Sequence, residues 1–275
     1  MRQTLKGALG NLLISANPQK AEQLSTLGMT SVDKQDLKMT ERLMRFAMLQ
    51  KIEQEQDFDA LEALHKNYWM NRGSEYFLNT DDHFETIFLP ECSFLIDILA
   101  EHVAGSESKF RSLLEIGTGN GDVLKYLSER LPSINTFTGV DLSHNQIDLN
   151  VEKFRDNPKL EFVAADGLEW VEQYAESDTI FFTSRGVLEY VTQSNLEKLL
   201  RTAAGLGNTI FVTLEPNGLD HDFAAEPNSK LYGLEKSFSH NYPAQMIQAG
   251  FDLIHMSEKR YEEQAHKLSF TIGMK

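Results

Sequence analysis

The sequence predicts an α/β protein: a seven-stranded, mostly parallel, doubly wound sheet with an antiparallel last strand, preceded by a helical lid. Three observations predict it. From Pro90 onward, short apolar runs alternate with amphipathic stretches, the pattern of a parallel sheet covered on both faces. The first of these runs ends in a glycine-rich loop that opens a helix. The last two runs are joined only by residues 258–267, whereas a parallel crossover needs about a dozen residues or more, usually helical.

Residues 1–89 read as helix and loop, and residues 90–275 as the sheet domain. Met39, Leu43, Phe46 and Gln50 recur at helical spacing, which predicts an amphipathic helix over 37–56. A shorter helix should start after Asn17-Pro18, and a third should cover 58–68. In the second part, 94–103 reads as a helix and Ser112-Leu113-Leu114-Glu115-Ile116 as a buried strand. A helix over 122–131 and a strand over 136–140 follow. Ser143 with Gln146 spells a capping box. Strands over 160–165, 179–183 and 209–214 come next, with a helix between the last two. Ser194 and Glu197 are expected to cap that helix, and Gly205 to stop it. Pro243 suits the first turn of a further helix, and Gly250 its end. Residues 251–256 and 268–272 make the final strand pair.

Composition narrows the function. Lys plus Arg is 26 and Asp plus Glu is 41, a formal net charge of −15. Phosphate backbones are bound mainly through Lys and Arg, so nucleic acid and anionic membrane surfaces are disfavoured partners. No stretch approaches the roughly 20 apolar residues of a membrane span. The single cysteine, Cys92, allows no intrachain disulfide, which fits a reducing compartment. A cytoplasmic location is the expectation.

The sharpest feature is Glu115-Ile116-Gly117-Thr118-Gly119-Asn120-Gly121-Asp122. Glycines at such a strand–loop–helix joint let the backbone turn tightly and approach a ligand. Ligands of open parallel sheets bind at the carboxyl ends of the strands, where strand order reverses. A dinucleotide site wants G-x-G-x-x-G. Here the spacing is G-x-G-x-G, and Asp122 stands where the third dinucleotide glycine would be. Together with Glu115, it would repel a pyrophosphate. An acidic loop favours a ligand that carries cationic groups, such as an ammonium and a sulfonium.

Glu115 to Gly121 resembles the first motif of class I S-adenosylmethionine-dependent methyltransferases, the Rossmann-like class, and the order of later motifs fits over about residues 90–275. The resemblance implies S-adenosyl-L-methionine as cofactor, held by Glu115, Gly117, Thr118, Gly119 and Gly121. It implies that Asp141, with Leu142 after the second strand, holds the ribose hydroxyls. Asp166, with Gly167 after the third, would meet the adenine amino group. Ser184 and Arg185, after the fourth, would meet the methionine part. Asp141 and Asp166 could equally be helix-flanking acids favoured by the dipole.

The N-terminal helices resemble the lid of small-molecule methyltransferases. In Tyr68-Trp69-Met70-Asn71-Arg72 and Tyr76-Phe77, Arg72 could clamp a carboxylate and Tyr68 or Trp69 could face a sulfonium, or the cluster could simply pack the lid on the sheet. These helices also allow a homodimer. A base is needed only if the acceptor is protonated. His240 and Tyr242 are the expected catalytic pair, ahead of Glu215, His221 and Asp222. Metal use is not expected. Catechol-type relatives place acids where this chain has Ser184-Arg185 and Glu215-Pro216-Asn217, and adjacent Asp81, Asp82 and His83 read as solvated. A nicotinamide-dependent oxidoreductase and an inactive methyltransferase-like interaction protein are the competing readings.

Overall fold

The computed structural model describes residues 2–28, 37–78, 80, 82–105, 110–261 and 266–275, with side chains from Leu5 onward. Asp81 lies outside these residues. Four helices come first: α1 (Arg2–Ala16), α2 (Pro18–Leu27), α3 (Met39–Glu55) and α4 (Phe58–Leu78). A π-helical turn, Phe84–Phe88, runs into α5 (Leu89–Gly105). The alternating part follows: β1 (Ser112–Ile116), α6 (Asp122–Arg130), β2 (Thr136–Asp141), α7 (His144–Lys153), β3 (Leu160–Ala164), α8 (Gly167–Tyr174), β4 (Thr179–Ser184), α9 (Gln193–Gly205) and β5 (Ile210–Gly218). A small hairpin, β6 (Lys230–Tyr232) with β7 (Ser237–Ser239), precedes α10 (Tyr242–Ala249), β8 (Asp252–Arg260) and β9 (His266–Met274).

The main sheet has the order β3-β2-β1-β4-β5-β9-β8. The first five strands pair in parallel, and β9 runs antiparallel to both β5 and β8. Strand order reverses between β1 and β4, so the crevice opens at the carboxyl ends of those two strands. Neighbouring residues serve opposite faces, as strand geometry requires. Leu113, Phe182 and Val212 pack with α5 and α6, whereas Leu114, Phe181 and Phe211 pack with α9 and α10. Burying each of these rings contributes about 2–3 kcal/mol.

The expected helix over 37–56 forms, but on a different face. Met39 is 70% exposed, and the buried residues are Glu41, Met44, Ala47 and Leu49. Met44 packs with α2, and Leu49 with Leu61, Leu64 and Phe238. The helix expected over 58–68 continues to Leu78. The cap of α9 is Thr192, which accepts from the Asn195 N–H, not Ser194; Ser194 lies inside the first turn and meets the Thr192 hydroxyl. Ser143 caps α7 as expected, and Asn241 caps α10 ahead of Pro243.

Candidate active site

A cavity of about 420 Å³ lies at the carboxyl ends of β1 and β4, roofed by α4. Its floor is the glycine loop. Gly117 and Thr118 both donate to the Val140 carbonyl, at 2.7 and 3.1 Å, which folds the loop back over β2. Gly117 (φ 73°) and Gly119 (φ 53°) sit in the left-handed region, where an L side chain is strained. A Cβ would also find no room. At Gly117 it would lie 2.5 Å from Val187 Cγ2, and at Gly119 2.7 Å from the Phe77 ring. Asn150 on α7 donates to the Gly119 carbonyl at 2.7 Å, and Gln146 braces Asn150.

Glu115, Gly117, Thr118, Gly119, Asp141, Leu142, Asp166, Gly167, Ser184 and Arg185 all line the cavity. Asp141 is anchored by two backbone N–H groups: Gly119 donates to Oδ2 at 3.0 Å and Ser143 to Oδ1 at 2.9 Å. A carboxylate has about four acceptor positions, so room remains for a diol. Glu115 is 1% exposed and accepts from the Thr118 hydroxyl at 2.7 Å. Asp166 caps α8, accepting from Leu168 and Glu169, and its other oxygen meets Lys66 at 2.7 Å. Lys66 also pairs with Glu62 at 2.9 Å. Arg185, with φ 61°, faces Glu91 at 3.5 Å.

Three residues expected at the cofactor do not line the cavity. Gly121 starts α6 and backs onto Phe154 and Phe162. Arg72 pairs with Glu75 beside it on α4, at 2.9 Å. Tyr68 is buried edge-on against Trp69. The aromatic wall comes from Trp69, the other aromatic expected there, from Tyr76 and Phe77 of α4 and from Tyr190, with Trp69 and Tyr190 centroids 5.8 Å apart. Asp122, whose charge argued against a pyrophosphate, turns to Lys153 at 2.6 Å. The acids that line the cavity are Glu115, Asp141, Asp166, Glu189 and Glu235.

His240 and Tyr242 are not brought to the cavity. His240 Nε2 lies 3.0 Å from the Leu188 and Val191 carbonyls, and Nδ1 lies 2.6 Å from the Ser229 hydroxyl. Both nitrogens are thus spent on structure, and burial pushes the imidazole down to about 4. Tyr242 is fully buried in the core beside α9. Here the packing of strand β7 and α10 overrides the expectation of a base. Glu215 accepts from the Gly186 and Val187 N–H groups at 2.9 and 3.0 Å, and so shapes the turn after β4. His221 is buried against Ser239, at 2.8 Å. The residues the sequence reading passed over are Lys66 and Glu189.

Electrostatics follow from burial. Loss of water raises Glu115 to about 8, helped by Asp141 and Asp122 and opposed by the Thr118 hydroxyl. Glu189 rises to about 8 and Glu215 to about 7 for the same first cause. Between pH 4.5 and these values the folded protein holds protons that the unfolded chain has lost, so stability falls as pH rises. Buried His65 and His240, lowered to about 4, oppose that trend only below about 6.5. The ligand-free protein should therefore lose melting temperature between pH 6.5 and 8. A cationic ligand favours ionised Glu115, so its binding should release protons near pH 7. Calorimetry in buffers of different ionisation enthalpy checks this; proton uptake would contradict it.

The strand order and the glycine cradle at the switch point define the class: a Rossmann-like fold of the class I methyltransferase type. Residues 113–207, from β1 through α9, match the family model described as a methyltransferase domain. Magnesium protoporphyrin IX methyltransferase from Synechocystis, with bound S-adenosylhomocysteine, aligns at TM-score 0.53 and 11% identity over 76% of this chain and 99% of that one. The N-methyltransferase NodS from Bradyrhizobium japonicum aligns at TM-score 0.49 and 13% identity over 74% and 96%. Phosphoethanolamine N-methyltransferase 2 from Haemonchus contortus aligns at TM-score 0.49 and 12% identity over 67% of this chain, which spans about half, 52%, of that protein. No curated protein matches in sequence. Residues 113–207 thus match a methyltransferase domain, and the chain has the fold of the class I methyltransferases. Among the described residues, no helix is long and apolar enough to cross a membrane.

Proposed function

We propose that the chain transfers the methyl group of S-adenosylmethionine to an oxygen or nitrogen of a small molecule, without a metal ion, by in-line displacement. One observation carries this reading: a glycine-walled cavity whose carboxylates, buried Glu115 and half-buried Asp141, suit a cationic nucleoside and repel a diphosphate. Asp141 would accept from the ribose hydroxyls. Gly117, Thr118 and Gly119 would leave room for the amino-acid part, with Glu115 near its ammonium. Asp166 and Gly167 would flank the adenine, and Ser184 and Arg185 the methionine. When bound, the cofactor supplies a methyl carbon activated by a sulfonium. The protein's part is to hold the acceptor in line and to exclude water, which the α4 roof of Trp69, Tyr76 and Phe77 is placed to do.

Metal independence is supported by what the relevant side chains already do. Glu215 holds two backbone N–H groups on Oε2, and the Asn217 amide donates to Ser239 and the His240 carbonyl. A chelator should leave activity unchanged. An apolar stripe on α1, with Leu5 at 63%, Leu9 at 44% and Leu12 at 67% exposure, supports a homodimer through the N-terminal helices. The buried lone cysteine supports a cytoplasmic site of action. Calorimetry tests the main reading. S-adenosylhomocysteine should bind with a Kd of about micromolar order, and NADH should not compete. Tight NADH binding would favour an oxidoreductase instead.

A further inference from the structure

Resting on that assignment of the cavity, we propose that the methyl acceptor is a protonated amine, held and deprotonated by Glu189 inside a wall of Trp69, Tyr76 and Tyr190. Glu189 lies in the one-turn 3₁₀ helix after β4, Leu188–Tyr190, directly following the Gly186-Val187 segment that packs on Gly117. It is 7% exposed and lines the cavity. The Tyr232 hydroxyl donates to Oε2. Oε1 lies beneath Gly186, where an added Cβ would stand 2.8 Å from it.

Charge balance selects the acceptor. Glu189 and Glu235 both line the cavity. The lining cations are committed elsewhere: Lys66 to Glu62 and Asp166, Arg185 to Glu91. Glu189 has no lysine or arginine partner among the described residues. An anionic acceptor would add to the repulsion. An uncharged alcohol brings no counter-charge, so the buried Glu189 would keep its proton beside it and could not act as a base. An ammonium supplies that charge and also gains from the ring faces around it.

The chemistry balances. The ammonium passes one proton to the Glu189 carboxylate, and the freed nitrogen lone pair forms a bond to the methyl carbon. The carbon–sulfur bond breaks with its electron pair kept on sulfur, leaving S-adenosylhomocysteine and a methylated ammonium. Glu189 suits this role because burial, with Glu235 and Glu215 nearby, raises it to about 8, within reach of an amine. The other groups facing it are the phenols of Tyr232, Tyr190 and Tyr76, which stay neutral there.

The test is calorimetry on protein saturated with S-adenosylhomocysteine. The probes are 2-phenylethylamine and butylamine, each against its alcohol, 2-phenylethanol and butanol. At least one amine should bind at least about tenfold tighter than its alcohol. Glu189→Gln should erase that preference while changing S-adenosylhomocysteine affinity by less than about threefold. The comparison in unaltered protein needs no variant, so a misfolded Glu189→Gln cannot rescue the idea. Retained S-adenosylhomocysteine binding with alcohols equal to or tighter than amines overturns the amine assignment alone. Failure to bind S-adenosylhomocysteine overturns the methyltransferase reading and this one together.

Discussion

Asp141→Ala should weaken S-adenosylhomocysteine binding by about 100-fold. A carboxylate that accepts from a diol makes charge-assisted bonds, about twice as strong as neutral ones. Removing it also strips the acceptor from the Gly119 and Ser143 N–H groups, and each buried group left unsatisfied costs about 1–3 kcal/mol. About 3 kcal/mol in binding corresponds to about 100-fold. The two contributions can be separated. A 2′-deoxy analogue of S-adenosylhomocysteine should bind unaltered protein weakly, and Asp141→Ala should weaken the analogue less than it weakens the parent. Equal losses for both nucleosides would show that Asp141 only props the loop. A loss of less than about threefold would remove it from the ribose site.

Gly119→Ala should be nearly as damaging, by a different route. The residue has φ 53°, and a side chain there costs about 1–2 kcal/mol. Its Cβ would also meet two carbons of the Phe77 ring at 2.7 Å, an overpacking cost of about 1–3 kcal/mol. Phe77 is fixed against Trp69 and Tyr76, so the ring cannot simply swing aside. The lid should therefore be displaced and ligand affinity should fall by more than about tenfold. Adding Phe77→Ala should recover the steric part but not the backbone part. Unchanged affinity in Gly119→Ala would mean that the lid does not bear on this loop when ligand binds.

The sheet was legible because its signals are strong and local. Leu113-Leu114 and Phe181-Phe182 are continuous apolar runs, as strands buried on both faces must be, and the glycine loop marks the first strand end. The short residue span before the last strand was enough to give its direction. Other elements left weaker traces. Strands β6 and β7 have three residues each, below what alternation can reveal. Helix α1 carries leucines on more than one side, and Gly7 and Gly10 sit in its middle, so propensity argued against it. Gly10 is there because α3 comes so close: a Cβ would lie 2.2 Å from the Leu43 carbonyl oxygen.

The site divides in the same way. Cofactor-side residues follow strand ends, whose positions the chain order fixes. The lid residues depend on how α4 rolls over the sheet, which spacing alone does not fix. Of the expected Tyr68, Trp69 and Arg72, only Trp69 lines the cavity, with Tyr76 and Phe77 about two turns further on. Glu189 hides inside Val187-Leu188-Glu189-Tyr190-Val191, which reads as an apolar segment. His240 drew attention as a loop histidine, yet Phe238 packed at 5.9 Å against its ring belongs to a strand too short to be recognised.

Lys66 gives the enclosure a distinctive mechanical property. It joins Glu62 on its own helix to Asp166 at the sheet edge, and the two acids are only 6% and 15% exposed. Lifting the roof would abandon one of them without its counter-ion, and breaking a largely desolvated pair is expensive. The gate is thus sprung toward shut by charge rather than by grease. On the function proposed above, cofactor exchange would have to break that latch.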